Sequence, residues 1–335
     1  YSLTDAVSSP NADVDGAALL RRWRDGLRAP VIGAPMFLAS GAALVIAQCT
    51  SGIIGTIPAL NARPSAQFDE WLSEIKEALA AWDRDHPDAP AAPFGVNLIV
   101  HNSNPRLEED LALCVQHKVP LVISSMGARA DVNRAVQAYG GVTLHDVTNQ
   151  SHARKAIEKG ATGLIAVAAG AGGHAGVQSP FALVAELRAW FDGPIALAGA
   201  IGTGKAVAAA RILGADFAYI GSAFLATDEA HVSPAQKAAV VAASAADIVY
   251  TPAFSGTPAN YLRCSIVGAG LDADNLPTTG RTVDVAAQDG ATKTWSDIWG
   301  CGQGVGSVRA VEPTAMVVDR IVREYEDAIA NRSHA

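Results

Sequence analysis

One histidine of the sequence lies in a loop that is unusually rich in glycine. His174 stands in the segment AGAGGHAG, residues 169–176, where four glycines surround it. Glycines leave a flat backbone that a planar ring can lie against, and an imidazole with an unperturbed pKa of ~6.5 exchanges a proton at physiological pH. Many loop histidines only cap a helix or bind a carbonyl. The position after an apolar run favours a catalytic role for His174.

Two further glycine turns have the composition of an anion site. Residues 199–205 read GAIGTGK and residues 221–227 read GSAFLAT. Glycine lets the backbone approach an anion closely, and free N–H groups at the start of a helix bind it. The two turns together predict a phosphate-binding site.

The first of these turns also matches the beginning of the nucleotide-binding pattern GxxxxGK. The next residue is Ala206, where that pattern needs a Ser or Thr hydroxyl for Mg²⁺. The turn also follows a late strand. Both features disfavour a nucleotide-hydrolysing P-loop.

Eight short apolar runs predict the strands that position these loops. They lack the alternation of half-exposed strands and suit parallel strands that are buried on both faces. In chain order they are residues 30–34, 52–56, 94–99, 121–125, 142–145, 163–167, 195–198 and 217–220.

Helix-like segments separate most of these strands. Residues 151–159 and 205–213 end at Gly160 and Gly214, as helices with glycine C-caps do. Regular alternation predicts the α/β class and a (β/α)₈ TIM barrel, whose function lies at the carboxyl ends of the strands and whose phosphate site follows strands seven and eight. An open doubly wound sheet is the alternative, but its glycine fingerprint is missing after the first strand.

The alternation stops after the eighth strand. Residues 233–246 are rich in alanine and predict a helix, and a loop-rich part follows. We predict that residues 230–300 form a small, mainly helical subdomain over the barrel mouth, and we call this subdomain the cover. It is inserted between the barrel segments 1–229 and 301–335. The closing helix is expected over residues 312–330, with Pro313 at its first position.

Composition excludes several classes of protein. The net charge is −8 and no Lys/Arg cluster is present, which argues against nucleic-acid binding. No apolar stretch is long enough to span a membrane, and residues 1–29 lack a signal-peptide pattern. The sequence leaves a homodimer open.

The cysteines predict no metal site. Cys49, Cys114, Cys264 and Cys301 have neither metal-binding nor redox spacing. We expect each of them to pack as a small apolar side chain, which indicates a reducing compartment and a cytoplasmic protein.

With these loops identified, the chain resembles the nitronate monooxygenase family, formerly called 2-nitropropane dioxygenases. The resemblance covers most of the chain, from residue 30 to the region of residue 303. It rests on PFGVNL at 93–98, AGAGGHAG at 169–176, the turn at 199, GADFAYIGSAFLAT at 214–227 and DIWGCGQGVG at 297–306.

The resemblance implies non-covalently bound FMN and a (β/α)₈ barrel, with His174 as the catalytic base. The residues expected at the cofactor share glycine-rich or strand-end positions; they are Ala34, Pro35, Met36, Asn97, Asp146, Gly173, Gly199, Ala200, Gly221, Ser222 and Gln303. Tyr261 and Arg263 of the cover are expected near the substrate, while His101 and His145 are more typical of structural histidines.

The chain departs from the family pattern at two positions. The family often has a Lys after the histidine that ends strand five, where this chain has His145 and then Asp146. It often has a second Gly after strand one, where this chain has Pro35. A carboxylate in place of a cation is expected to disfavour the anionic flavin hydroquinone, and to repel an anionic substrate unless Asp146 points away or pairs with Arg154.

The implied function is FMN-dependent oxidation of alkyl nitronates, or of nitroalkanes, with O₂ to carbonyl compounds and nitrite. The alternatives within the superfamily are an NAD(P)H:quinone reductase, an enoyl-thioester reductase and an acyl-CoA dehydrogenase. A sugar-phosphate isomerase or aldolase on the same barrel, without a redox cofactor, is the alternative from another class.

Overall fold

The computed structural model describes residues 15–276 and 297–331. The helices are α1 (Gly16–Gly26), α2 (Ala42–Thr50), α3 (Ser65–Asp85), α4 (Leu107–His117), α5 (Ala130–Gln137), α6 (Gln150–Glu158), α7 (Pro180–Arg188), α8 (Gly204–Leu213), α9 (Pro234–Ala242), α10 (Arg263–Gly268) and α11 (Thr314–Ala330). The strands are β1 (Val31–Gly33), β2 (Gly55–Pro58), β3 (Phe94–Ile99), β4 (Leu121–Ser125), β5 (Val142–Val147), β6 (Gly163–Val167), β7 (Gly173–His174), β8 (Ile195–Ala198), β9 (Phe217–Ile220), β10 (Ile248–Thr251) and β11 (Ala259–Leu262).

Eight parallel strands form the central sheet in the order β1-β9-β8-β6-β5-β4-β3-β2. The two ends of this order meet through a parallel bridge between Ile32 and Ile54, where the Gly33 N–H donates to the Ile54 carbonyl at 2.7 Å. The sheet therefore closes into the predicted barrel, with helices on its outer side.

The second strand begins later than predicted. The sequence predicts it over residues 52–56, whereas β2 spans Gly55–Pro58. Gly52 has a φ of 88° and forms the turn after α2, and its carbonyl accepts from the Arg28 N–H at 3.1 Å. The apolar residues Ile53 and Ile54 are buried in the approach to the strand and so extend the apolar run beyond it.

The barrel interior is filled by alternate strand residues and closed at one end by α1. Ile32, Leu144 and Phe217 belong to one buried cluster with Leu20 of α1. Asp15 caps this helix, because its carboxylate accepts from the N–H groups of Ala17 and Ala18. The amino-terminal face of the barrel is therefore plugged, and the opposite face holds the strand ends and their loops.

The described part of the cover contains strands as well as helices. β10 and β11 pair antiparallel, and β11 pairs on its other side with β7. The expectation of a mainly helical cover is therefore incomplete for residues 230–276, since the polar and apolar residues alternate too briefly there to predict a strand. Residues 277–296 of the predicted cover lie outside the described residues, and the domain boundaries stay a prediction.

Two smaller expectations need correction. Pro313 is the N-cap of α11 with extended backbone, and Thr314 is the first helical residue. Cys264 is exposed, whereas Cys49, Cys114 and Cys301 are buried and unpaired as expected. Cys264 lies on the short helix α10, which leaves one side to solvent.

Among residues 15–276 and 297–331, no helix combines the length and apolar character that crossing a membrane requires.

Candidate active site

Polar side chains replace apolar ones in the last inward layer of the barrel. In β5, Leu144 packs in the interior cluster, His145 points outward and Asp146 points inward again, as the two-residue period of a strand dictates. Ser125 and Tyr219 end the inward rows of β4 and β9, and Asn97 lies near the carboxyl end of β3, where it bonds to Ser125. We call Asn97, Ser125, Asp146 and Tyr219 the polar cluster.

Asn97 and Ser125 are fixed by a short hydrogen bond. The Asn97 Nδ2 donates to Ser125 Oγ at 2.6 Å and to the Ile123 carbonyl at 3.2 Å. Asn97 is only 7% exposed. Both donors of this amide are thus used within the barrel, and its carbonyl oxygen is the group left to meet a ligand.

Asp146 and Tyr219 are the titratable members of the polar cluster. Burial raises the pKa of Asp146 to about 6, although the Ser125 hydroxyl and the Met126 N–H favour its charged form. Burial and the nearby Asp146 charge raise the pKa of Tyr219 well above its usual range. The described residues supply no cation to Asp146.

His145 is structural. Its Nε2 contacts Asn133 Oδ1 of α5 at 3.1 Å, and burial lowers its pKa to about 4. His101 is exposed and pairs with Ser103 Oγ at 2.9 Å. Neither histidine belongs to the polar cluster.

His174 is held by the cover. It forms β7 with Gly173, and this strand pairs with Ala259 and Asn260 of β11. The His174 Nε2 lies 3.0 Å from Ser255 Oγ, and burial lowers the pKa of the imidazole. The ring is therefore placed by a strand that belongs to a distant part of the sequence.

The hydrogen bonds around Ser255 assign the proton of His174. Ser255 Oγ donates its single hydrogen to the Thr257 carbonyl at 2.9 Å, so the Nε2 of His174 must be the donor toward it. Tyr261 also donates to Ser255 Oγ, at 3.5 Å. Because burial lowers the pKa of the imidazole and so favours its neutral form, the proton of the neutral ring is assigned to Nε2.

A pocket of about 560 Å³ opens beside His174. Its walls are the loop after β5, the loop that continues from β7, and the cover at Tyr250, Thr257 and Pro258. The lining has no Lys, Arg, Asp or Glu. The second predicted cover residue, Arg263, pairs instead with Asp274 at 2.9 Å, partly exposed to solvent.

The turn after β1 is rigid and faces the loop after β9. Asn61 donates to the carbonyls of Met36 and Ser40 at 3.0 and 2.7 Å. Gly221 lies against Ala34 and Met36, because a Cβ built at Gly221 would be 3.5 and 3.6 Å from their side chains. The structure thus brings the predicted residues Ala34, Pro35 and Met36 next to Gly221.

The turns after β8 and β9 expose backbone donors. Gly199 has a φ of 137° and Ala200, an exposed non-glycine residue, has a φ of 55°. The N–H groups of Ser222 and Ala223 meet no acceptor within residues 15–276 and 297–331, although both residues are buried. Unpaired N–H groups in a buried turn fit an anionic group.

The start of α8 is not available for an anion. Glu324 of α11 accepts from the Gly204 N–H at 2.8 Å, and a Cβ at Gly204 would lie 2.1 Å from the Ile321 carbonyl. Gly204 therefore serves helix packing. The sequence predicted that free N–H groups at the start of this helix bind an anion. In the structure the candidate for that role is instead the preceding turn, at Gly199 and Ala200.

The segment 300–307 joins three of the loops. The Gly302 N–H donates to Ser222 Oγ at 2.8 Å, and the Gln303 N–H donates to the Gly170 carbonyl at 2.8 Å. A Cβ at Gly302 would lie 2.6 Å from the Gly172 nitrogen. Sequence reasoning named Gln303 but missed Gly302, whose signal was the GCGQGVG pattern.

Comparisons with known proteins agree with this geometry. A family model described as nitronate monooxygenase matches residues 103–324, about two thirds of the chain. A nitronate monooxygenase of Paraburkholderia phytofirmans is 26% identical over 360 residues, which cover 91% of this chain and 94% of that protein.

Two solved structures share the fold. A nitroalkane oxidase from Streptomyces ansochromogenes has a TM-score of 0.76 and 23% identity, covering 92% of this chain and 99% of its own. FabK from Thermotoga maritima has a TM-score of 0.74 and 24% identity, covering 95% and 99%. The two alignments span 92% and 95% of this chain.

Proposed function

This chain belongs to the nitronate monooxygenase family of oxidoreductases, and we propose that it uses bound FMN and O₂ to oxidise alkyl nitronates, and their parent nitroalkanes, to carbonyl compounds and nitrite. The observation that carries the proposal is the neutral, anchored His174 at the mouth of a barrel whose loops fit a phosphate.

The residues present fit FMN. The buried N–H groups of Ser222 and Ala223, with the turn at Gly199 and Ala200, would hold the phosphate. The turn after β1 and the Asn97 carbonyl oxygen would border the ring, with Gly173 and Gln303 nearby on the loops that the segment 300–307 joins. When bound, the flavin accepts electrons from the substrate and passes them to oxygen.

His174 would bind the nitro group or take the α-proton. Its neutral ring would act as the proton acceptor, and the bond from Nε2–H to Ser255 would stabilise the ring after it becomes charged. Because burial lowers its pKa, the ring remains a proton acceptor over a wider range of acidic pH. The charge-free pocket beside it would accommodate the substrate's alkyl part.

The first test is the visible spectrum of the purified protein. We expect flavin bands that are bleached anaerobically by propionate-3-nitronate and not by NADH or NADPH. Bleaching by a nicotinamide would favour a reductase of the same superfamily instead. A colourless protein that does not take up FMN would contradict the proposal and favour the sugar-phosphate alternative.

The second test is His174→Gln. Removing a positioned proton acceptor is expected to lower kcat for a neutral nitroalkane by about 10²–10⁴-fold, while FMN remains bound. His86→Gln is the matched control, since His86 is exposed and stacks on Trp82 away from the barrel mouth. A loss of less than about threefold in His174→Gln would remove this histidine from the mechanism.

A further inference from the structure

Asp146 is a carboxylate at the barrel mouth that faces the interior. Its neighbours in the same strand establish this orientation. Leu144 packs in the barrel interior and His145 contacts Asn133 on the outside. Asp146 therefore projects inward at the carboxyl end of β5, where this fold places its ligands.

The groups facing Asp146 are neutral. Ser125 of β4 approaches it from one side, and Tyr219 of β9 is close enough for their charges to interact. On the other neighbouring strand, β6, Ile165 and Val167 are apolar. Asn97 fixes Ser125 through the 2.6 Å bond, so the hydroxyl is held in place beside the carboxylate.

We propose that Asp146 is a specificity-determining residue that makes the barrel mouth bind uncharged reactants, such as a nitroalkane, more tightly than the corresponding anions, such as its nitronate. A like charge at short range repels an anion, and the repulsion is strong where protein replaces water. A neutral molecule of the same shape does not experience it. The inference rests on the proposed function in one respect, that the reactant binds at this mouth.

The selection depends on the protonation of Asp146. Burial raises the pKa of this carboxyl to about 6. Anions therefore bind more weakly above that pH, and their affinity rises as the pH falls through it. Tyr219 stays neutral in this range because its pKa is raised, and burial lowers the pKa of His174, which limits its own charging.

The test compares butyrate with butyramide, which have the same skeleton and differ in charge. Binding to the flavin-loaded protein is measured by calorimetry at pH 8 and pH 5.5, with no turnover. We expect Asp146→Asn to bind butyrate about tenfold more tightly than the wild type at pH 8 and to bind butyramide equally. Asp192→Asn is the control, because it makes the same change in net charge at an exposed position.

The wild-type protein provides a measurement that needs no variant. Its affinity for butyrate is expected to rise severalfold from pH 8 to pH 5.5, while that for butyramide stays constant. Equal butyrate binding by the wild type and Asp146→Asn at pH 8, or a flat pH dependence in the wild type, overturns the proposal.

A parallel assay of propane-2-nitronate and 2-nitropropane separates this inference from the proposed function. If neither compound is turned over and butyrate is still discriminated, the proposed function fails and the role of Asp146 stands. If both are turned over without any effect of Asp146→Asn on their ratio of kcat/KM, the role of Asp146 fails and the proposed function stands.

Discussion

Two aspartates at opposite ends of the barrel have contrasting surroundings. Asp216 precedes β9 at the amino-terminal face, and Asp146 ends the inward row of β5 at the carboxyl-terminal face. Asp216 is surrounded by three arginines, Arg24, Arg188 and Arg211, at 2.8, 2.7 and 3.7 Å. Asp146 has no cation within the described residues.

The contrast extends to the backbone. At the amino-terminal face, the Ile195 N–H donates to Asp216 at 3.0 Å, and Arg188 also donates to the carbonyls of Gly193 and Gly214. At the opposite face, buried N–H groups lack acceptors and Ala200 adopts a left-handed conformation. One end of the barrel is arranged for stability, and the other retains the unsatisfied groups that ligand binding needs.

The largest change in the free energy of unfolding is expected from Asp216→Asn. Removing the charge leaves three arginines close together and keeps only the acceptor for Ile195, which should cost about 2 kcal/mol of unfolding free energy for this partly exposed group. Urea denaturation measures the loss. Activity per folded molecule should be unchanged.

The control for this variant is Asp192→Asn, an exposed aspartate on the same side of the barrel. It should change the unfolding free energy by less than about 0.5 kcal/mol. If both variants unfold at the same urea concentration, the arginine cluster does not stabilise the amino-terminal face and the comparison fails.

Asp146→Asn should raise the free energy of unfolding, whereas Asp216→Asn should lower it. Burial raises the pKa of Asp146 in the folded state to about 6, above the ~3.9 of an unperturbed aspartate, so the folded state takes up a proton between these two values. The cost of the buried charge is absent below about pH 4, develops as the pH rises and is complete above the folded pKa. The substitution should therefore stabilise the protein by about 1–2 kcal/mol at pH 8.

The same variant should give no gain near pH 4. Chemical denaturation at both pH values checks the sign, and pH 8 is the informative condition. A loss of stability at pH 8 would mean that Asp146 is stabilised by its surroundings as Asp216 is, and the two ends of the barrel would then be alike.

The sequence predicted most of the barrel because its strands are buried on both faces. Seven of the eight runs coincide with strands to within two residues, and only the run at residues 52–56 was placed too early. The plug helix α1 was not predicted. Its apolar residues, such as Leu20 and Trp23, lie among arginines, and their burial depends on the far end of the barrel rather than on a local pattern.

The sequence predicted which residues form the candidate site, but it predicted fewer of the contacts among them. The glycine turns and His174 were visible as local patterns, but the pairing of β7 with β11 joins residues that are more than 80 positions apart. The inward direction of Asp146 follows from the strand period once β5 is known. Its lack of a cation depends on every neighbouring strand, which no local pattern reveals.

The smallest expected effect concerns Ala200 itself. A left-handed conformation costs a non-glycine residue about 1–2 kcal/mol, and glycine loses about 0.5–1 kcal/mol more backbone entropy on folding. Ala200→Gly should therefore stabilise the protein by about 0.5–1 kcal/mol, since φ is 55° there. Ala209→Gly, the same change at an exposed position within α8, should destabilise it by about 1 kcal/mol.

Opposite shifts in the urea midpoint would show that the carboxyl-terminal face stores strain. Destabilisation by both variants would mean that the Ala200 side chain contributes packing that outweighs its backbone strain, and this turn would then resemble the well-packed opposite end.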